Sequence, residues 1–154
     1  MANKSAVHAL IQSNYPTDQK VSGLLLCMAQ EMKVTMTRQL LPFKISPPQL
    51  MMLHALDKGP KEGLTVGQLK EGMLEDSSNV SRSLNKLEES GLVVKRRDDE
   101  DQRIVKIIIT DAGRQLHLDA DEALMKIEGG LGLNESELET LFALLKKAVN
   151  NAIN

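Results

Sequence analysis

Residues 76–110 read DSSNVSRSLNKLEESGLVVKRRDDEDQRIVKIIIT, and the fold turns on this run. Val80, Leu84 and Leu87 recur at helical spacing, which makes them the buried stripe of a helix over about 77–90. Asp76 can cap its start, and Gly91 followed by Leu92 reads as a Schellman-type stop. Two β-prone runs follow at 92–97 and 104–109, joined by the charged stretch 98–103. They predict a two-stranded hairpin.

Working outward, Thr65-Val66-Gly67-Gln68 is a capping box that opens a short helix with Val66, Leu69 and Met73 inward, despite Gly67 and Gly72. Ser46-Pro47-Pro48-Gln49 is a second capping box with proline in the first turn, predicting a helix from Pro47 to Lys58, before Gly59. Val21, Leu24, Leu25, Met28, Met32 and Met36 form one apolar face of a long helix over 17–41, which Pro42 ends. Downstream, Thr110-Asp111 caps a helix with Leu116, Ala120, Ala123, Leu124 and Ile127 inward, and Gly129-Gly130 breaks it. A last helix opens at Asn134, with Glu137 three residues on. It gathers Leu138, Leu141, Phe142, Leu145 and Val149 on one face.

The fold expected is mainly α with a small β-hairpin wing. A winged helix-turn-helix lobe at 46–110 is flanked by helices at 17–41 and 111–150, all within a single domain spanning 1–154. The apolar face of the last helix needs a partner surface, and closed two-fold pairing of the flanking helices predicts a homodimer.

Composition excludes several alternatives. The chain has 154 residues, 42% hydrophobic and 26% charged, which fits a globular domain and neither disorder nor low complexity. No stretch approaches a transmembrane span, and the N-terminus has no basic head followed by an apolar block. The single cysteine, Cys27, can make neither an internal disulfide nor a zinc ribbon, and fits a reducing cytoplasm. One Tyr, two Phe and no Trp are too few for the stacking platforms that grip single strands. The net charge is −2, so any nucleic-acid surface must be local. Three scattered histidines, without a phosphate loop or a nucleophile paired to a base, argue against an enzyme.

With Val80, Leu84 and Leu87 inward at about 100° per residue, Ser78, Arg82 and Asn85 turn outward. Ser77, Asn79, Ser81 and Lys86 flank them. This is a hydrogen-bonding face suited to a major groove, and Arg82 alone can fork onto guanine. Ser46, Gln49 and Thr65, at helix starts, are candidate phosphate contacts. Between 76 and 106 seven cations face seven anions, which predicts modest, salt-sensitive affinity.

The segment over about 46–113 resembles the MarR family of bacterial winged-helix regulators. The likeness rests on Asp76-Ser77-Ser78-Asn79-Val80-Ser81-Arg82, on Leu87-Glu88-Glu89-Ser90-Gly91-Leu92-Val93, on Arg97 followed by Asp101-Gln102-Arg103, and on Thr110-Asp111-Ala112-Gly113. The flanking helices match by pattern. The resemblance implies dimerising terminal helices, recognition helices in successive major grooves, and wing contacts from Arg97, Asp101 and Arg103. Arg103 would enter the minor groove and Asp101 would orient it. It also implies a repressor released from a pseudo-palindromic operator by a small aromatic or anionic effector. Met28, Met32, Met51 and His54 are the candidate lining of an effector pocket.

Two sensing devices compete with plain structural roles. The position of a peroxide-sensing thiol in the resembling family falls near Ser22, and Cys27 sits in an apolar run that reads as an inert buried site. A zinc site would combine His117 and Asp121 with Cys27 or Glu31, but His117 reads as a surface histidine, so no metal and no cofactor are assigned. The alternatives to the regulator are a winged-helix module for protein contact alone and a metal-responsive member of the same family.

Overall fold

The computed structural model describes residues 4–73, 77–98, 101–125 and 131–153. The chain divides into two compact units, Met1–Leu124 and Met125–Asn154. In the first unit, α1 (Lys4–Gln12) precedes the long α2 (Thr17–Leu40), and a 3₁₀ turn at Leu41–Phe43 carries the chain into α3 (Pro47–Lys58). Then follow β1 (Leu64–Thr65), α4 (Val66–Glu71), α5 (Ser77–Glu89), β2 (Val93–Arg97), β3 (Val105–Ile109) and α6 (Asp111–Met125). The second unit holds α7 (Glu135–Ile153). Among the described residues no helix is long and apolar enough to cross a membrane.

The expected helices and hairpin form within a residue or two of their predicted bounds. At the start of α3, the Gln49 side-chain oxygen accepts from the Ser46 N–H at 2.9 Å and from its hydroxyl at 3.1 Å. At the start of α4, Gln68 accepts from the Thr65 N–H at 2.8 Å while the Thr65 hydroxyl accepts from the Gln68 N–H at 3.2 Å. The Asp76 cap, Ile127 and the Gly129-Gly130 break lie outside the described residues.

Two elements correct the sequence reading. α1 was not expected. It lies along α2, where Gly23 admits the Leu10 side chain: a Cβ there would stand 2.6 Å from Leu10 Cδ2. The hairpin forms as expected, but a strand that was not expected, β1, joins it in an antiparallel sheet of order β1-β3-β2. Leu64 pairs with Ile107, and Val93 through Arg97 pair with Ile109 through Val105. Gly63 makes room for this edge, with φ +90° and a Cβ position 2.3 Å from the Ile107 carbonyl oxygen.

The core gathers the inward faces of α3, α4, α5, the sheet and α6. Met52, Leu53, Leu69, Val80, Leu84, Leu87, Val93 and Ile107 are all at most 1% exposed. The face of α2 is different. Val21, Leu25, Met28 and Met32 remain 40–55% exposed, so in the single chain the predicted apolar stripe is uncovered. On α7, where Asn134 and Glu137 exchange backbone and side-chain hydrogen bonds at 2.8 and 3.1 Å, Leu138, Phe142 and Val149 are exposed too.

Candidate nucleic-acid interface

The thirteen residues of α5 make a rod about 20 Å long, held by Val80, Leu84 and Leu87 in the core. Asn79, Ser81, Arg82, Asn85 and Lys86 are exposed on the other side, as the periodicity requires. Ser77 and Ser78 occupy its first turn, and their side chains lie outside the described residues. Asn85 does more than face outward. Its carbonyl oxygen accepts from Lys95 Nζ at 2.9 Å, and the same ammonium pairs with Glu88 at 2.6 Å. Lys95 thereby ties the wing to the helix, a role the sequence reading missed because the pairing spans two elements.

The exit from α5 sets the angle between helix and wing. Leu92 N–H donates to the Leu87 carbonyl and Gly91 N–H to that of Glu88, both at 2.9 Å, with Gly91 at φ +70°. This is the predicted Schellman pair, and the left-handed residue is the one glycine adopts without strain. Thr110 then fastens this exit to the start of α6. Its hydroxyl donates to the Gly91 carbonyl at 2.8 Å and accepts from the Gly113 N–H at 3.0 Å, while its own N–H donates to the Leu92 carbonyl at 3.1 Å. Gly113 packs so close that a Cβ there would lie 2.1 Å from the Leu92 carbonyl oxygen. The threonine-and-glycine motif is thus the clamp that holds α5 and the hairpin as one piece.

At the wing tip, Asp98 N–H donates to the Ile104 carbonyl and Ile104 N–H to the Asp101 carbonyl, both at 2.9 Å. The second bond closes a β-turn with Gln102 and Arg103 at its centre, and aspartate is favoured at the first position of such turns. The Asp101 carboxylate accepts from the Arg103 backbone N–H at 2.9 Å. It therefore orients Arg103 through the backbone. Among the described residues no side chain pairs with the Arg103 guanidinium. Arg97 instead donates to the Gln102 carbonyl at 2.9 Å, bracing the tip, and Asp98 pairs with Lys106. Glu88, Asp98 and Asp101 are thus all engaged within the fold.

The remaining candidates fall elsewhere. Gln49 is buried and committed to Ser46, and Thr65 to Gln68. Met28, Met32 and Met51 are 40%, 55% and 49% exposed, and a hollow along α2 is lined by other residues, including Gln30, Lys33, Val34 and Arg38. Cys27 is half-buried rather than buried. His117, expected at the surface, is 1% exposed and sits against His54, Asp57 and Asp121. Its spacing, three residues before Ala120 and seven before Leu124, already sets it beside the apolar face of α6, but its partners on α3 lie outside any helical wheel.

Comparison with known proteins places this geometry. The sequence pattern of the MarR family matches residues 43–104. The chain is 32% identical over 125 residues to the organic hydroperoxide resistance transcriptional regulator of Bacillus subtilis, covering 80% of this chain and 81% of that protein. It is 33% identical over 98 residues to the HTH-type transcriptional regulator TtmR of Methylorubrum extorquens, but spans only 49% of that relative's length. Among solved structures, the Staphylococcus aureus MepR–DNA complex superposes with a TM-score of 0.76 at 27% identity, covering 84% of this chain and 96% of that one.

Proposed function

Because this chain belongs to the MarR family of transcriptional regulators, we propose that it is a homodimeric, sequence-specific double-stranded DNA-binding repressor of the cytoplasm. The observation that carries this reading is the union of an exposed polar helix face with a pinned arginine at the wing tip. Asn79, Ser81, Arg82, Asn85 and Lys86 face outward from α5, and Arg103 stands in the tip turn of a wing that Lys95, Thr110 and Gly113 hold to that helix. The helix would enter a major groove and the wing the adjacent minor groove. Ser77 and Ser78 would extend the contact at the helix start, Ser46 and Thr65 would approach phosphates from the starts of α3 and α4, Gln49 being buried as the cap partner of Ser46, and Arg97 and Asp101 would act by shaping the tip. The MepR structure, itself a DNA complex, supports the same docking.

In this reading the whole chain works as one functional domain, with 46–110 on DNA and 17–41 and 111–150 in the dimer. The uncovered apolar faces of α2 and α7 supply the argument, since exposed patches of this kind call for a partner. In sedimentation at micromolar concentration the protein is expected to run as a dimer. Phe142, 68% exposed on α7, is the side chain to change, and Phe142→Glu should shift the population towards monomer. A wild-type chain that sediments only as monomer would defeat the dimer.

Operator release would follow from a small organic effector that prefers the spacing of recognition helices incompatible with DNA, since only such a preference can shift the population. Met28, Met32, Met51 and His54 are the residues to alter in testing this. Base reading has its own test. Arg82→Ala is expected to relax preference at one or two positions of each half-site, by a discrimination of about 1–3 kcal/mol, while leaving affinity for unrelated duplexes nearly unchanged. An unaltered base preference in sites selected by the variant would remove Arg82 from the reading face.

A further inference from the structure

Away from the DNA-facing surface, three side chains of α3 and α6 converge on one point. His54 Nδ1 lies 3.1 Å from His117 Nε2, His117 Nε2 lies 3.0 Å from Asp121 Oδ2, and Asp121 Oδ2 lies 3.9 Å from His54 Nδ1. The two rings are inclined at 67°, with Nδ1 of one and Nε2 of the other at hydrogen-bond distance. A point equidistant from the three atoms lies about 2.0 Å from each, the bond length of zinc to imidazole nitrogen or carboxylate oxygen.

Hydrogen bonding alone serves this arrangement poorly. A neutral imidazole has one donor and one acceptor nitrogen, and His117 has a carboxylate on each side: Asp57 at 3.5 Å from Nδ1 and Asp121 at 3.0 Å from Nε2. Either neutral tautomer therefore sets a ring lone pair against a carboxylate. Nδ1 of this buried ring is also left without a hydrogen-bond partner. A cation bound to Nε2 removes the conflict. The proton then sits on Nδ1, 3.5 Å from Asp57 Oδ2, and His54, His117 and Asp121 each offer a lone pair to positive charge. Asp57, fixed from its other oxygen by Arg114, takes the place of the outer carboxylate that orients metal-binding histidines.

We propose that His54, His117 and Asp121 form a binding site for a divalent cation of the zinc class. Two imidazoles and one carboxylate are borderline donors, suited to zinc and its first-row neighbours and not to calcium or magnesium. The side chains of His54 and Asp121 are 51% and 35% exposed, which leaves an entry path and an open position for water as a fourth ligand. On sequence alone, His117 and Asp121 pair with Cys27 or Glu31. The third donor instead comes from α3, and the site stands independently of the DNA-binding reading.

The test is zinc binding by the full chain, freed of metal and of any affinity tag, and dialysed against Zn²⁺ alone. One zinc per chain is expected, with Co²⁺ in its place giving the visible absorption of a four-coordinate site, and with added zinc raising the melting temperature. His54→Ala and Asp121→Asn change partly exposed side chains and leave the core filled. Each is expected to weaken zinc binding by about tenfold or more and to abolish the thermal shift. Asp57→Asn, which touches no metal position, should weaken it less. Retention of no zinc by the parent would overturn the site. Equal zinc affinity in the parent, His54→Ala and Asp121→Asn would overturn it as well.

Discussion

Gly113→Ala is expected to lower the stability of the protein by about 3 kcal/mol, near the upper end for overpacking a filled site, and its melting temperature by about 6–12 °C for a chain of this size. The new methyl would stand 2.1 Å from the Leu92 carbonyl oxygen and 2.8 Å from Ile109 Cγ1. Neither neighbour can yield cheaply. The Leu92 carbonyl is held by the Thr110 N–H, and Ile109 is a core residue paired with Val93. Gly67 is the control. It lies in α4 with nothing nearer to a Cβ than Thr65 Oγ1 at 3.7 Å, so Gly67→Ala should gain about 0.5–1 kcal/mol by relieving glycine's entropy cost. Thermal melts of the two variants check both signs. A Gly113→Ala protein as stable as the parent would mean that the clamp between α5, the wing and α6 is loose.

Arg103→Ala is the second large effect, a loss of about tenfold or more in DNA affinity on most sequences. Its guanidinium has no partner among the described residues, while two hydrogen bonds involving Asp101 fix the backbone that carries it. The turn is already fixed at its backbone, so only the side chain has to be ordered on binding, and its removal forfeits the charged contact. Arg103→Lys should recover only part of the loss, because the ammonium keeps the charge and lacks the planar fork. Fluorescence anisotropy on a cognate and an unrelated duplex at fixed salt distinguishes this uniform loss from the position-specific one expected of Arg82→Ala. Equal affinity of Arg103→Ala and the parent on both duplexes would take the wing off the DNA.

Much of this was legible in the residues because the signals are local. The Val80, Leu84 and Leu87 stripe, the capping boxes at Ser46 and Thr65, and the Gly91 stop each depend on neighbours within five positions, and each appears where its spacing put it. Exposure of Arg82, Asn85 and Lys86 follows from the same period. What escaped depends on distant pairing. β1 is two residues long and takes its identity from Ile107, more than forty positions away. α1 is secured by the packing of Leu10 on Gly23. His117 shares the 4-3-4 stripe of Gly113, Ala120 and Leu124, so its burial could have been read from α6, but its partner His54 on α3 lies 63 positions away and no helical wheel carries that information. The wing looked neutral in a count of charges. Folding assigns Glu88 to Lys95 and Asp98 to Lys106, which a count cannot do.

The central claim is that this chain reads a specific duplex as a dimer, and the most direct test is selection of bound DNA from a random duplex pool at low salt, followed by a salt titration on what is recovered. The account predicts a pseudo-palindrome with half-sites about one helical turn apart, and an affinity that falls linearly with the logarithm of salt. Recovery of no enriched sequence at any salt would contradict it, and would make the α5 face and wing a surface for protein contact.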